Sequence, residues 1–299
     1  MTFFSHIAKG VTLAASILAM PLNAWAGPEA ELWEHWQTHD PASTQTVDHM
    51  PWTDILKNHV VQQPDGTYLF DYTTIAFSDR KPLKAYLKTL KKTPVSTLNR
   101  AEQFAYWVNL YNALTIKVIV DHYPIESIRD IDISPGIFTD GPWGKKLVVI
   151  EGEAVSLDDI EHRILRPIWR DPRIHYAVNC ASIGCPDLFP EAVTPAKAEA
   201  YLDRGARAYI NHPRGARVDD GRLTVSSIYD WFQEDFGDSD EGVIAHLKQY
   251  ANKDLLAALE GITSISSDHY DWALNATSLP DDFIAAKKAA NAYRLRGGS

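Results

Sequence analysis

Cysteine is scarce in this chain: Cys180 and Cys185 are the only two among 299 residues. That excludes a disulfide-dense scaffold, which a chain of this length does not need, since it can bury a self-sufficient core. It also argues against a structural zinc site, because Cys-x4-Cys lacks the usual close spacing and no second Cys/His pair completes four ligands. No metal and no cofactor are expected. Long apolar runs are scarce too. Beyond the first 26 residues nothing approaches the roughly 20 apolar residues of a membrane-spanning helix, so the mature chain has no predicted membrane anchor. Basic residues are outnumbered, 29 Lys and Arg against 39 Asp and Glu, which disfavours nucleic acid as a partner. Internal repeats and low-complexity tracts are absent.

What is present first is an export signature. Lys9 is the only charge before the apolar run Val11–Met20, and Asn23-Ala-Trp-Ala26 carries the small-x-small pattern of a cleavage site. The reading predicts a signal peptide over residues 1–26, cut before Gly27, and a periplasmic or secreted mature protein. No cysteine follows the run to take a lipid. Cleavage leaves 28 basic against 39 acidic side chains, net −11. In an oxidising compartment two thiols tend to pair, so a Cys180–Cys185 disulfide is the plain reading of the cysteines. In the chain-entropy account so small a loop stabilises by only about 2 kcal/mol.

Along the rest, residues 27–82 read as an N-terminal extension. It has helical spacing at Leu32, Trp33 and Trp36, and a strand alternating Tyr68, Phe70 and Tyr72. A domain spans 83–275 and a surface tail 276–299. The strongest helix follows Asn99, with Glu102 completing a cap pattern, and runs through Phe104 to about Val120 before Pro124. Residues 139–144 form a loop, Leu147–Ile150 a strand turning at Glu151-Gly152, and Ser156 with Asp159 opens another helix. Ile174–Cys180 reads as a central strand, 194–210 as a helix, Arg222–Val225 as a strand, and Ser227 as the start of a helix that Gly237 ends. A last strand is expected near Ile262–Ile265. Helices and strands mix without strict alternation, which predicts an α+β fold with a mixed or antiparallel central sheet packed on the long helix.

Several polar groups stand in apolar surroundings. Asn109 and Asn112 lie three apart in the most apolar helix, one turn after Tyr106; buried amides need partners, either structural or a substrate carbonyl. In the helix after Ser156, Glu161 falls at the margin of the buried stripe and His162 nearly opposite, with Asp158 one turn earlier. An acid and an imidazole beside a cleft are ordinary acid–base equipment. On the expected strand His175 and Cys180 occupy opposite faces, which disfavours a direct thiolate–imidazole pair. Cys185 precedes Pro186, as a residue capping a helix would, and a helix N-terminus favours a thiolate. Trp143 in its Gly-Pro loop is either a stacking platform for a ligand or an edge packed on its own fold.

Phe104-Ala-Tyr-Trp-Val-Asn-Leu-Tyr-Asn-Ala-Leu-Thr-Ile116, Ser156-Leu-Asp-Asp-Ile-Glu-His-Arg-Ile-Leu165, Asp171-Pro-Arg-Ile-His-Tyr-Ala-Val-Asn-Cys180 with Cys185-Pro186, and Tyr270-Asp-Trp-Ala-Leu-Asn275 occur in this order. Together they resemble the domain of unknown function 547 family, in a bacterial secreted form, from about Leu83 to Asn275. The resemblance implies a domain and no particular reaction. It also implies that Asn109, Asn112, Glu161, His162, His175, Cys180 and Cys185 are recurrent polar positions. Where the family pattern has glycine directly after the first cysteine, this chain has Ala181. Papain-like and transglutaminase-like folds offer an analogy of arrangement, but their nucleophile begins the central helix, and here that helix offers asparagines.

Two functions follow from these residues. One is a thiol-dependent hydrolase or acyl transferase with Cys180 or Cys185 as nucleophile, His162 or His175 as base, Glu161 as orienting acid, and Asn109, Asn112, Tyr106 and Trp143 on the substrate. The other is a non-catalytic module binding a small molecule, peptide or glycan, with Cys180 and Cys185 bridged.

Overall fold

A 23-residue helix, Arg100–His122, forms the axis of the molecule. The computed structural model describes residues 27–77, 80–136 and 141–295; the expected signal peptide and the start of the 139–144 loop lie outside these. Asn99 caps the helix by accepting from the Glu102 amide at 3.0 Å, while the Glu102 carboxylate accepts from the amide of Val47. Every side chain from Glu102 to Ile116 is buried, as expected of a helix that is apolar on all sides. Helices Met50–His59, Tyr72–Phe77 and Lys81–Leu90 pack around it. Trp36 meets Trp107 edge-on at 4.8 Å and Trp52 stacks on Tyr86 at 5.9 Å, so the N-terminal extension shares the core of the long helix.

The mixed α+β class holds, but among the described residues no single central sheet packs on the long helix. Strands form three small sheets instead. Val60–Gln62 pairs antiparallel with Tyr68–Phe70, and Val148–Ile150 with Glu153–Val155. Arg222–Ser226 lies between Ala216–Asp219, antiparallel, and Ser267–His269, parallel. Two hairpins turn on residue pairs with positive φ, Glu151-Gly152 (46° and 91°) and Asp220-Gly221 (50° and 72°), the conformation that tight two-residue hairpins require. The papain-like and transglutaminase-like analogy therefore has no central sheet to rest on.

Four local expectations are corrected. Ile174–Cys180 is not a strand: Pro172–Tyr176 is a 3-10 helix, because Asp171 caps the Arg173 amide at 2.9 Å and Pro172 presets the first turn. The segment after Ser156 is capped reciprocally by Ser156 and Asp159, yet Asp159–Leu165 winds as a π-helix. No helix begins at Pro186, so Cys185 caps nothing. The last strand is Ser267–His269 rather than 262–265. The C-terminal tail holds the helix Asp281–Leu295.

Two apolar cores result. One surrounds the long helix; the other gathers Tyr176, Tyr209, Tyr229, Phe236 and the helices Ala198–Ile210 and Asp240–Tyr250.

Candidate functional site

A cavity of about 400 Å³ draws its walls from both cores. Cys180, Cys185, Glu161, His162, His175 and Trp143 all line it. Tyr106, Asn109 and Asn112 do not. Tyr106 donates to Leu90 O at 3.0 Å, and Asn109 holds the backbone of Val193 through both ends of its amide, at 2.7 and 3.0 Å.

Asn112 acts on the site from behind. Its Nδ2 donates to Ala177 O at 2.9 Å and its Oδ1 accepts from Asn179 N at 2.8 Å. Asn179 in turn accepts from Ala181 N at 2.9 Å and donates to Pro186 O at 2.6 Å, clamping both ends of the cysteine loop. Ala181, at φ 62°, occupies the left-handed conformation that glycine adopts without strain. Gly184 lies so close to the 270s segment that a Cβ there would stand 2.8 Å from Asp271 N. Ile183 N and Gly184 N donate to Ala273 O and Asp271 O, both at 2.8 Å. The loop is therefore strapped from both sides.

Within it the cysteines are free thiols, correcting the disulfide reading. Cys180 Sγ lies 2.9 Å from Cys185 Sγ, 2.9 Å from Tyr270 Oη and 3.2 Å from Ser182 Oγ. Ser182 and Tyr270 also touch, at 2.8 Å. Ser182 Oγ and Tyr270 Oη thus form a triangle with the Cys180 sulfur, in which either partner of each contact can donate. Burial pushes the Cys180 thiol up, but its hydrogen-bond contacts with Cys185, Ser182 and Tyr270 outweigh it and leave its pKa below the ordinary value. Cys185 moves the other way, well up, through burial and its contact with Cys180. Among the described residues no imidazole hydrogen-bonds either sulfur.

The opposite wall is the π-helix. Its wide turn brings both Glu161 and His162 inward, 8% and 6% exposed, where regular helical phase separates them. Asp158, His162 and Arg166 form a stripe at spacing four. Arg166 Nη1 donates to His162 Nδ1 at 3.1 Å, and since a guanidinium only donates, neutral His162 carries its proton on Nε2. That Nε2 lies 3.9 Å from Asp158 Oδ1. Burial lowers His162 to about 4, so it is neutral near pH 7. Asp158 is raised to about 7 by burial and then by the carboxylates of Glu161 and Asp159.

His175 lies between two carboxylates, Asp235 at 2.6 Å from Nε2 and Glu161 at 3.5 Å from Nδ1. Burial disfavours its charge, but these partners raise its pKa overall. Glu161 and Asp235 are each held at about 2: burial raises both, and the imidazoles with Tyr111, for Glu161, or His175 with Arg166, for Asp235, outweigh it. Arg166, with a side chain 1% exposed, binds Asp235 and Glu234 at 2.5 Å each. His175 thus has both nitrogens occupied by carboxylates.

Tyr111, Arg166, Asp235 and Tyr270 were not among the residues expected at the site. For Arg166 a signal existed, the four-residue spacing from Asp158 and His162. Tyr270 reaches the cavity, and Asp235 the far side of His175, only through tertiary contacts. Trp143 meets Trp272 edge-on at 5.7 Å, and Trp272 stacks on Trp231 at 5.5 Å, giving the cavity an aromatic wall. Among the described residues no cluster of three His, Cys, Asp or Glu is placed to hold a metal ion.

No curated protein and no solved structure matches the chain. Residues 95–210 match the family model described as a protein of unknown function, DUF547. That stretch supplies both cysteines, both imidazoles, Asp158 and Glu161, whereas Trp231, Phe232, Asp235 and Tyr270 come from beyond it. The chain carries a DUF547 domain over residues 95–210.

Proposed function

We propose that this protein is an exported thiol-dependent acyl transferase or hydrolase that holds a small acyl compound or peptide against its aromatic wall. The observation that carries the proposal is the Cys180 sulfur, facing a cavity and within hydrogen-bond distance of two hydroxyls and a second thiol. Those contacts stabilise a thiolate without a histidine, and the thiolate is the nucleophilic form. Cys180 adds to the carbonyl carbon of an ester, thioester or amide, and the carbonyl electrons pass to oxygen, which accepts from His162 Nε2–H. Collapse expels the leaving group, protonated by the acid form of Asp158, whose pKa of about 7 suits it to both directions of proton transfer. Water or an acceptor amine or alcohol, deprotonated by the Asp158 carboxylate, then attacks the thioester and releases Cys180. His175, Glu161 and Asp235 position the wall.

A second reading, a ligand-binding module, is favoured by the aromatic wall and by sulfurs that no imidazole contacts. One experiment separates the two. The protein is mixed with short-chain p-nitrophenyl esters and acyl thioesters, and its intact mass is followed. An acyl adduct on Cys180, lost in Cys180→Ala and kept in Cys185→Ala, supports the enzyme. Absence of any adduct with all of these donors, while a ligand still protects the cavity from alkylation, supports the binding module.

A further inference from the structure

Gly27, the first residue after the expected cleavage point, lies in the cavity wall. Its backbone N–H donates to Trp231 O at 3.1 Å. A Cβ at position 27 would stand 2.6 Å from the Phe232 ring and 2.7 Å from Trp231 O, so the fit admits glycine alone. The residues that follow are held in register: Pro28 O accepts from Arg166 Nη1 at 2.6 Å, Glu31 N donates to His162 O at 3.0 Å and Trp33 N to Arg163 O at 2.9 Å. The guanidinium that fixes the His162 tautomer thus also fixes this segment.

We infer that cleavage between Ala26 and Gly27 makes residue 27 a working part of the site, its new α-ammonium group serving as a fixed cation in the cavity wall that favours anionic ligands, carboxylates above all. The step is hydrolysis of one peptide bond by a leader peptidase: water adds, the carboxylate departs on Ala26, and the amine stays on Gly27. An α-amino group has an ordinary pKa of about 8, so it is charged near pH 7. One N–H keeps the bond to Trp231 O and the others are free for a ligand. Gly27 and Cys180 line the same cavity, and between them the Trp231 ring lies 4.8 Å from the Tyr270 ring while Tyr270 Oη lies 2.9 Å from Cys180 Sγ. The inference rests on the export part of the proposed function and not on acyl chemistry.

The test compares two chains, one beginning at Gly27 and one retaining Ala26 before it, which turns the amine at position 27 back into an amide. Each is alkylated at Cys180 with iodoacetate, an anion, and with iodoacetamide, its neutral counterpart. The iodoacetate-to-iodoacetamide rate ratio should be about threefold or more higher in the chain beginning at Gly27, the scale of one charge acting within a partly solvated cavity. Equal ratios overturn the inference. The absolute iodoacetamide rate reports separately on the nucleophile, so a sluggish thiol with unequal ratios counts against the acyl-transfer reading alone. N-terminal sequencing of the exported protein checks the cleavage point, and a start other than Gly27 also overturns the inference.

Discussion

At the scale of single residues, the histidines are assigned by what holds their nitrogens. Arg166 donates to His162 Nδ1, which leaves Nε2 protonated and makes this imidazole a hydrogen-bond donor toward the cavity rather than a base. His175 has a carboxylate on each nitrogen, so neither faces a ligand. The group left to move protons near neutrality is Asp158, at about 7. Its pKa is raised, so the acid form persists up to about pH 7 and the carboxylate dominates above. Asp158→Asn should remove the ionisation near 7 from the pH–rate profile of acyl transfer and lower the rate by roughly the 10²-fold typical of general acid–base catalysis. Retention of an unchanged bell-shaped profile in that variant would assign the proton transfer elsewhere.

At the scale of elements, the cysteine loop is rigid because buried amides grip it. Asn112→Ala leaves Ala177 O and Asn179 N without partners in the interior. Two orphaned buried groups cost about 2–4 kcal/mol together. Urea unfolding should report a loss of that size, and an effect under about 0.5 kcal/mol, the range of ordinary surface substitutions, would contradict the bracing role. Much of this level was legible in the residue pattern. The long helix, its Asn99 cap, the Glu151-Gly152 turn and the Ser156–Asp159 cap follow from local chemistry that tertiary contacts reinforce. The stretch before Cys180 has the apolar, β-branched content of a strand, whereas Asp171-Pro172 dictates a 3-10 turn. Regular helical phase turns His162 outward, and the π-helical winding of its segment turns it in. Asp235 and Tyr270 were out of reach of any local pattern: Asp235 meets Arg166 across 69 residues of sequence and Tyr270 meets Cys180 across 90.

At the scale of the whole molecule, the charged network between the cores makes stability depend on pH with a defined sign. Glu161 and Asp235 lie at about 2 in the fold against ordinary values of 4.5 and 3.8. Their contributions are present above those ordinary values and are lost as pH falls through about 2. His162, at about 4 against 6.5, has the same sign, its contribution being lost as pH falls from 6.5 through about 4. His175 is raised and opposes them: its contribution is full below 6.5 and fades as pH rises through its folded value. Asp158, at about 7 against 3.8, opposes them too: its contribution is full below 3.8 and is lost as pH rises through about 7. Stability should climb from pH 2 to about 4.5, change little to about 6.5 while His162 and Asp158 offset each other, and then decline. Asp235→Asn should flatten the acid limb between about 4 and 2 and also weaken the alkaline decline, because His175 loses its closer carboxylate. Denaturation midpoints across pH check this, and parallel curves for the two proteins would show that the network does not set the profile.

The assembly of distant segments around one sulfur is tested most directly by the pH dependence of cysteine alkylation, resolved by residue, on the native protein and on Tyr270→Phe. Cys180 should react with a midpoint below the ordinary thiol value while Cys185 stays unlabelled, and removing the Tyr270 hydroxyl should move that midpoint up by about one pH unit, the worth of one hydrogen bond to a charged group. If the two cysteines label together, or if Cys180 keeps its midpoint without Tyr270, the thiolate is not held as described.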